Sequence, residues 1–76
     1  MDFSEYRQFH FKITEKLVNA REEAGLTQTA VAQTGILSQS EISKIENGQR
    51  YIDFITLILL AKLYKKDVNY FVPSEK

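Results

Sequence analysis

Residues 26 to 50 read LTQTAVAQTGILSQSEISKIENGQR, and this stretch predicts two short helices joined by a tight turn. Thr27 is placed to cap the first of them, over residues 28 to 34, because a threonine oxygen can accept a hydrogen bond from a free N–H of the first turn. Ser38, followed three residues later by Glu41, has the spacing of a capping box. The second helix is therefore expected to begin directly after Ser38.

The outer face of this second helix has an unusual composition. Ile42 and Ile45 can turn one side inward, and Asn47 with Gly48 predicts where the helix ends. Serine competes for backbone hydrogen bonds, so a helix that only had to stay dissolved would carry lysine and glutamate on its outer face. The outer face instead presents short polar side chains and one lysine, at Gln39, Ser40, Ser43, Lys44 and Asn47. These residues are candidates for recognising another molecule.

Apolar residues elsewhere recur at helical spacing, which predicts more helices around one small core. A first helix is expected over residues 4 to 24, with an inward stripe of Ile13, Leu17, Ala20 and Ala24 that is extended upstream by Tyr6 and Phe9.

A fourth helix is expected over residues 54 to 65, capped by Asp53, and a last turn over residues 68 to 71, capped by Asp67. The core face of the fourth helix is predicted to be Leu57, Leu60, Ala61 and Tyr64. The fold class is all-α, a compact bundle of four to five short helices.

Composition narrows the possible functions. A chain of 76 residues has room for one small core, so a cleft between two lobes is not expected. The absence of cysteine excludes thiol catalysis and thiolate metal sites and fits a cytoplasmic location. The longest apolar run, residues 54 to 61, is too short to span a membrane, and the acidic, aromatic N-terminus does not resemble a signal peptide. Ten basic and ten acidic side chains cancel, which counts mildly against a nucleic-acid binder.

Three segments together resemble the Cro and phage-repressor type of helix-turn-helix DNA-binding domain, the XRE-like family. They are LTQTAVAQ at 26 to 33, SQSEISKIENGQR at 38 to 50 and LAKLYKKDVNYF at 60 to 71. The resemblance implies a lambda-repressor-like DNA-binding domain over residues 12 to 72. Residues 1 to 11 then extend the first helix, and residues 73 to 76 form a tail.

The resemblance also implies DNA-binding roles at individual positions. Gln28 corresponds to a residue that reaches a phosphate, and exposed backbone N–H groups at the same helix start can assist it. Gln39, Ser40 and Lys44 correspond to positions that meet base edges in the major groove. Amides and hydroxyls both donate and accept hydrogen bonds, which suits base edges. The full set implied to bind DNA is Thr27, Gln28, Thr29, Ser38, Gln39, Ser40, Ser43, Lys44, Asn47, Gln49 and Arg50, the last three in the loop near the far phosphates.

An ion pair between Arg21 and Glu46 is a further implication of the resemblance, and it would orient the recognition helix. The chain departs from the family pattern at Ile36, where the family usually has a glycine with positive φ. Either Gly35 takes that conformation instead, or the angle between the two helices differs. Lys65 likewise stands where glycine often ends the fourth helix, and Ile52 where proline often precedes it.

Structural explanations compete with several of these roles. Glu41 is accounted for by its capping box, although a carboxylate there could also accept from cytosine N4. His10 has no second histidine or cysteine beside it in the sequence, so a surface histidine is the simpler interpretation. Glu22 and Glu23 fit a solvated helix face. Nothing resembles a catalytic constellation, and we expect a non-enzyme without cofactor, metal or small-molecule ligand.

Dimerisation would compensate for the weak charge of the DNA-facing segment. With Glu46 paired to Arg21, this segment has Lys44 and Arg50 against Glu41 alone, so one copy is expected to bind DNA poorly. The outer side of the fourth helix carries an apolar stripe that a second copy could cover, namely Ile55, Leu59 and Leu63. The alternative is that residues of the N-terminal extension fold over it, namely Phe3, Tyr6 and Phe11.

The sequence thus predicts a homodimeric, sequence-specific regulator of transcription that binds a palindromic double-stranded DNA operator. It would act by competing with RNA polymerase or touching it. We expect a bacterial or phage-encoded protein that lies in the cytoplasm, on the nucleoid when DNA-bound, and away from membranes. The alternative is a protein-interaction module that uses the apolar outer face of the fourth helix.

Overall fold

The computed structural model describes residues 3 to 73, and within this range every regular element is helical. The helices are α1 (Phe3–Glu23), α2 (Gln28–Gln33), α3 (Gln39–Glu46) and α4 (Phe54–Leu63), followed by a 3₁₀ turn at Val68–Phe71. The predicted all-α class is confirmed. No helix in the described range is long and apolar enough to cross a membrane. Residues 74 to 76 of the predicted tail lie outside the described residues.

Side-chain caps start four of these elements where the sequence predicts them. Thr27 Oγ1 accepts from the N–H of Ala30, and Asp53 accepts from the N–H of Thr56. Asp67 caps the 3₁₀ turn, and Ser38 forms the capping box that begins α3. Three helix ends differ slightly, because α1, α2 and α4 stop one or two residues before the expected positions.

A single cluster of buried side chains joins all the elements. Phe71 from the 3₁₀ turn closes one end of it, and the members from the helices and the end of α4 are Leu17, Ala20, Val31, Ile42, Ile45, Leu60, Ala61 and Tyr64. Three members of the predicted α1 stripe are not in the core, and one of them, Phe9, is only partly buried. Ala24 is exposed because α1 has already ended before the turn at Gly25, and Tyr6 is exposed because α1 extends beyond the core at its N-terminal end.

Gly35 takes the left-handed conformation in the turn between α2 and α3, with φ of 84°. The neighbouring Ile36 is spared a conformation that a β-branched residue adopts only at high cost, and it packs partly buried against the core. Of the two alternatives for this turn, the structure therefore has the shifted glycine. At the end of α4 no such shift occurs, and Lys65 itself has φ of 60°.

Candidate nucleic-acid interface

Helix α3 turns its polar residues to solvent because its two isoleucines lie in the core. Ile42 and Ile45 are at most 4% exposed. Gln39, Ser40 and Lys44 are all exposed on the opposite side. The structure thus brings the three predicted base-reading residues together on one accessible surface.

Hydrogen bonds hold the ends of this surface. Asn47 Nδ2 lies 3.5 Å from Ser43 Oγ one turn earlier, a long contact that links two of the predicted DNA-binding residues. At the start of α3, Ser38 Oγ accepts from the N–H of Glu41, and the Glu41 carboxylate accepts from the N–H of Ser38. Thr27, Thr29 and Gln49, also predicted to bind DNA, are exposed at the borders of the same region.

Arg21 and Glu46 form a two-pronged ion pair between α1 and α3. Arg21 Nε donates to Glu46 Oε2 at 2.8 Å and Nη2 donates to Oε1 at 3.0 Å. Arg21 Nη1 also donates to the carbonyl oxygen of Leu26 at 2.8 Å. The two charged side chains are only 12% and 6% exposed. A fork of this kind fixes distance and angle together, so it ties α3 to the body of the domain.

The surroundings of this ion pair are poorly solvated. Burial raises the pKa of the neighbouring Tyr64 to about 12, and the Glu46 carboxylate adds to the effect. The hydrogen bonds to Glu46 raise the pKa of Arg21 above its ordinary value. Both groups therefore keep their neutral-pH states, a charged guanidinium beside a neutral phenol.

Gln28 connects α2 to the same carboxylate. Its Nε2 donates to Glu46 Oε1 at 2.9 Å, so Glu46 accepts from both α1 and α2. An amide nitrogen has two hydrogens, and this bond uses one of them. The predicted phosphate contact of Gln28 is compatible with the structure and stays a prediction.

Arg50 is folded back along α3 and paired with Glu41. Arg50 Nη1 donates to Glu41 Oε2 at 2.9 Å, with side chains 48% and 38% exposed. The pKa of Glu41 is held below its ordinary value by the Ser38 N–H and then by Arg50. The carboxylate is therefore ionised at neutral pH. Among the described residues 27 to 50, Lys44 is the one charged side chain that belongs to neither this ion pair nor the one at Glu46.

The N-terminal part of α1 packs on the loop that follows α3. His10 Nε2 lies 3.2 Å from the carbonyl oxygen of Gly48, to which it donates in the tautomer protonated there. The His10 ring also meets the Tyr51 ring edge-on at 4.4 Å, and Tyr6 meets Tyr51 at 5.7 Å. Sequence reasoning treated His10 as an ordinary surface residue, and no local signal could connect it to a glycine 38 positions away.

The outer face of α4 is left open. Ile55 is 72% exposed and Leu59 is 42% exposed, whereas Leu63 is partly buried against the core. Tyr6 packs on Tyr51, and Phe11 is itself 64% exposed. Of the three residues that could have covered this face, Tyr6 and Phe11 leave Ile55 and Leu59 exposed, and the side chain of Phe3 lies outside the described residues.

The residues around α3 form a solvent-exposed polar surface. Within residues 3 to 73, the structure assembles no group of three or more histidine and acidic side chains that could hold a metal ion. What it does assemble is a solvent-facing helix, tied to α1 by an ion pair, that bears amides, hydroxyls and a lysine and is preceded by a short helix across a glycine turn. The fold and this surface define a helix-turn-helix domain.

Comparison with known proteins agrees with this class. The family model described as helix-turn-helix matches residues 17 to 71. The chain belongs to this XRE-like helix-turn-helix family.

Over 56 residues it is also 39% identical to a protein named HTH-type transcriptional regulator PrpR from Mycobacterium tuberculosis. The match covers 74% of this chain but only 12% of that protein, so the chain spans a small part of its relative. No solved structure matches the chain.

Proposed function

We propose that this chain is the DNA-binding domain of a transcriptional regulator, which places α3 in the major groove of a specific double-stranded DNA site. The observation that carries the proposal is the exposed face of Gln39, Ser40 and Lys44 on a helix that an ion pair anchors. Donors and acceptors held in fixed positions can distinguish base pairs in the major groove. Family membership and the name of the relative, a transcriptional regulator, support the same conclusion.

The proposal gives the two polar groups different roles. Gln39, Ser40 and Lys44 would read bases, whereas Gln28 and the loop of Asn47 to Arg50 would hold phosphates. Base edges carry sequence information and phosphates do not. Truncating a base-reading side chain should therefore lower the affinity for the specific sequence, whereas truncating a phosphate-binding side chain should lower the affinity for all sequences alike. Thr27, Thr29 and Ser38 border the phosphate contacts at the helix starts, and Ser43 lies near the backbone.

Selection of binding sites from random DNA, followed by titration of selected and scrambled duplexes, tests this division. Gln39→Ala should cost about 1 to 3 kcal/mol per half-site on the selected duplex and relax the preference at one or two base pairs. Gln28→Ala should weaken binding to both duplexes equally, without changing the salt dependence, because the amide is uncharged. Gln8→Ala, which removes an exposed glutamine of α1, serves as the matched control and should change neither.

Equal losses on both duplexes for Gln39→Ala would show that this face does not read sequence. Failure to enrich any duplex from the random pool would contradict the proposed function itself.

The proposal includes a homodimer formed through α4. Ile55 and Leu59 expose apolar area on one helix face, and exposed apolar area of this kind favours burial against a partner. Leu63 borders the stripe and would lie at its partly buried edge. Two-fold pairing would present two recognition helices to a palindromic operator, half-sites one DNA turn apart.

Sedimentation of Leu59→Glu tests the dimer. The substitution should convert a dimer to a monomer and weaken operator binding while leaving the helix content of the monomer unchanged. Val72→Glu places the same charge on another exposed apolar residue and should leave the dimer intact. A monomeric unmodified protein at high micromolar concentration would contradict this part of the proposal.

The same open face of α4 supports a second candidate, a protein-interaction module. A stable hetero-complex that survives Gln39→Ala and Lys44→Ala but is lost with Leu59→Glu would favour this candidate. Contact with RNA polymerase is one form that such an interaction could take beside DNA binding.

A further inference from the structure

Glu41 is an acidic residue on the surface that the proposed function turns toward DNA. Phosphates repel a carboxylate, so the charge of Glu41 by itself weakens DNA binding. Its presence on this surface therefore calls for another role. Both carboxylate oxygens are engaged, Oε1 by the N–H of Ser38 and Oε2 by Nη1 of Arg50, each at 2.9 Å. Capping accounts for the first contact but not for the second.

The second contact determines where the charge of Arg50 lies. Arg50 follows the end of α3, yet its guanidinium is held on a carboxylate in the first turn of that helix. The first turn is also the part of a recognition helix that meets base edges. A guanidinium has five N–H donors, so the bond to Glu41 leaves others for DNA.

An arginine that is not held in this way behaves differently. Its long side chain has many rotamers and can find a phosphate in almost any register of the helix on DNA. Pairing with Glu41 restricts the Arg50 guanidinium to one position before DNA binds. This favours the single register of α3 on DNA in which that position meets a phosphate. The paired carboxylate also cancels the charge of Arg50, which lowers the sequence-independent part of the affinity.

We propose that Glu41 is a specificity-determining residue that holds Arg50 so that its guanidinium reaches a phosphate only in the register where Gln39 and Ser40 reach their bases. This inference rests on the proposed function. It concerns discrimination between DNA sequences, and the experiment below separates its failure from a failure of DNA binding.

Glu41→Gln is a selective test, because a glutamine at this position of a capping box still accepts from the Ser38 N–H. The variant therefore keeps the helix start and loses only the charge that holds Arg50. Random and selected duplexes are titrated between about 50 and 200 mM salt. Thermal unfolding and circular dichroism of the variant should match the unmodified protein.

The variant should bind the random duplex more tightly, with a salt dependence steeper by about 0.9 per protomer. The gain should accordingly be about 3-fold to 4-fold larger at the lower salt concentration than at the higher one. The selected duplex should gain less, so that the ratio of specific to non-specific affinity falls. Glu41→Gln with Arg50→Gln restores the net charge of the pair and should return the salt dependence on the random duplex to its original value.

Glu23→Gln is the matched control, because it removes one exposed carboxylate that pairs with Lys66 at 2.8 Å, outside residues 27 to 50. It should change neither the salt dependence nor the ratio of affinities. An equal effect of Glu23→Gln would mean that net charge alone matters and would overturn the inference. Equal gains on both duplexes for Glu41→Gln would overturn it as well.

Three other results would also contradict it. Weaker binding of Glu41→Gln to the selected duplex alone would show that Glu41 itself reads a base. If the unmodified protein binds DNA and Glu41→Gln binds both duplexes as before, the inference fails while the proposed function stands. If neither protein binds any duplex, both are refuted.

Discussion

The ion pair between Arg21 and Glu46 is expected to be the most sensitive polar contact in the domain. The Arg21→Met variant removes the guanidinium and keeps most of the side-chain volume. The Glu46 side chain, only 6% exposed, would then have one remaining hydrogen bond among its described contacts, the one from Gln28 at 2.9 Å. The carbonyl oxygen of Leu26 would lose its donor as well.

The expected cost follows from these contacts. Breaking a buried ion pair by removing one partner destabilises a protein by about 3 to 5 kcal/mol, because the other charge stays buried. Glu46→Gln should cost less, about 1 to 3 kcal/mol, because an amide oxygen can still accept from Arg21 and the unpaired guanidinium keeps its bond to the Leu26 carbonyl oxygen. The double variant should cost less than the sum of the two by about 1 to 3 kcal/mol.

Urea unfolding of the four proteins gives this coupling directly. The exposed pair of Glu23 and Lys66 offers a matched cycle, and its two substitutions should be close to additive because solvent screens the charges. Additivity at Arg21 and Glu46 within about 0.5 kcal/mol would refute the argument that this pair anchors α3.

Three further predictions concern the backbone and the caps. Lys65→Gly should raise the free energy of unfolding by about 1 kcal/mol, because Lys65 has φ of 60° and glycine adopts this conformation without strain. Lys62→Gly, within α4, should lower the free energy of unfolding by a similar amount. Urea unfolding measures both changes. Gly35→Ala should cost about 1 to 2 kcal/mol from its φ of 84° alone, because no atom lies within 4 Å of the added carbon, and a neutral result in the same assay would contradict that conformation. The hydrogen bonds from Thr56 hold the pKa of Asp53 below its ordinary value of 3.8. The stabilisation that the ionised Asp53 cap provides is therefore fully present above pH 3.8 and is lost as the pH falls through the lower pKa of the folded state. The stability advantage of the unmodified protein over Asp53→Ala should therefore shrink in acid, and a constant difference from neutral pH to below 3.8 would contradict it.

The predicted helices and caps were confirmed where the deciding interactions are local. Thr27, Ser38, Asp53 and Asp67 each cap a helix by accepting from an N–H two or three residues later, so their spacing in the sequence is sufficient to predict the helix start. The core face of α3 was equally predictable, because helical periodicity alone turns Ile42 and Ile45 to the same side. The ends of α1, α2 and α4 were less predictable, because helix ends fray and the last one or two residues gain or lose little energy.

In the candidate site, too, the local features were predictable from the sequence and the long-range contacts were not. The sequence by itself determined that amides and hydroxyls share one helix face, since this follows from periodicity. Only the tertiary structure decided which polar groups meet across the chain, such as Gln28 with Glu46, 18 residues apart, and His10 with Gly48, 38 residues apart. These contacts depend on where packing of the core places each helix. A sequence pattern of period 3.6 carries no information about such placement, because it specifies a direction around one helix axis and not the position of its neighbour.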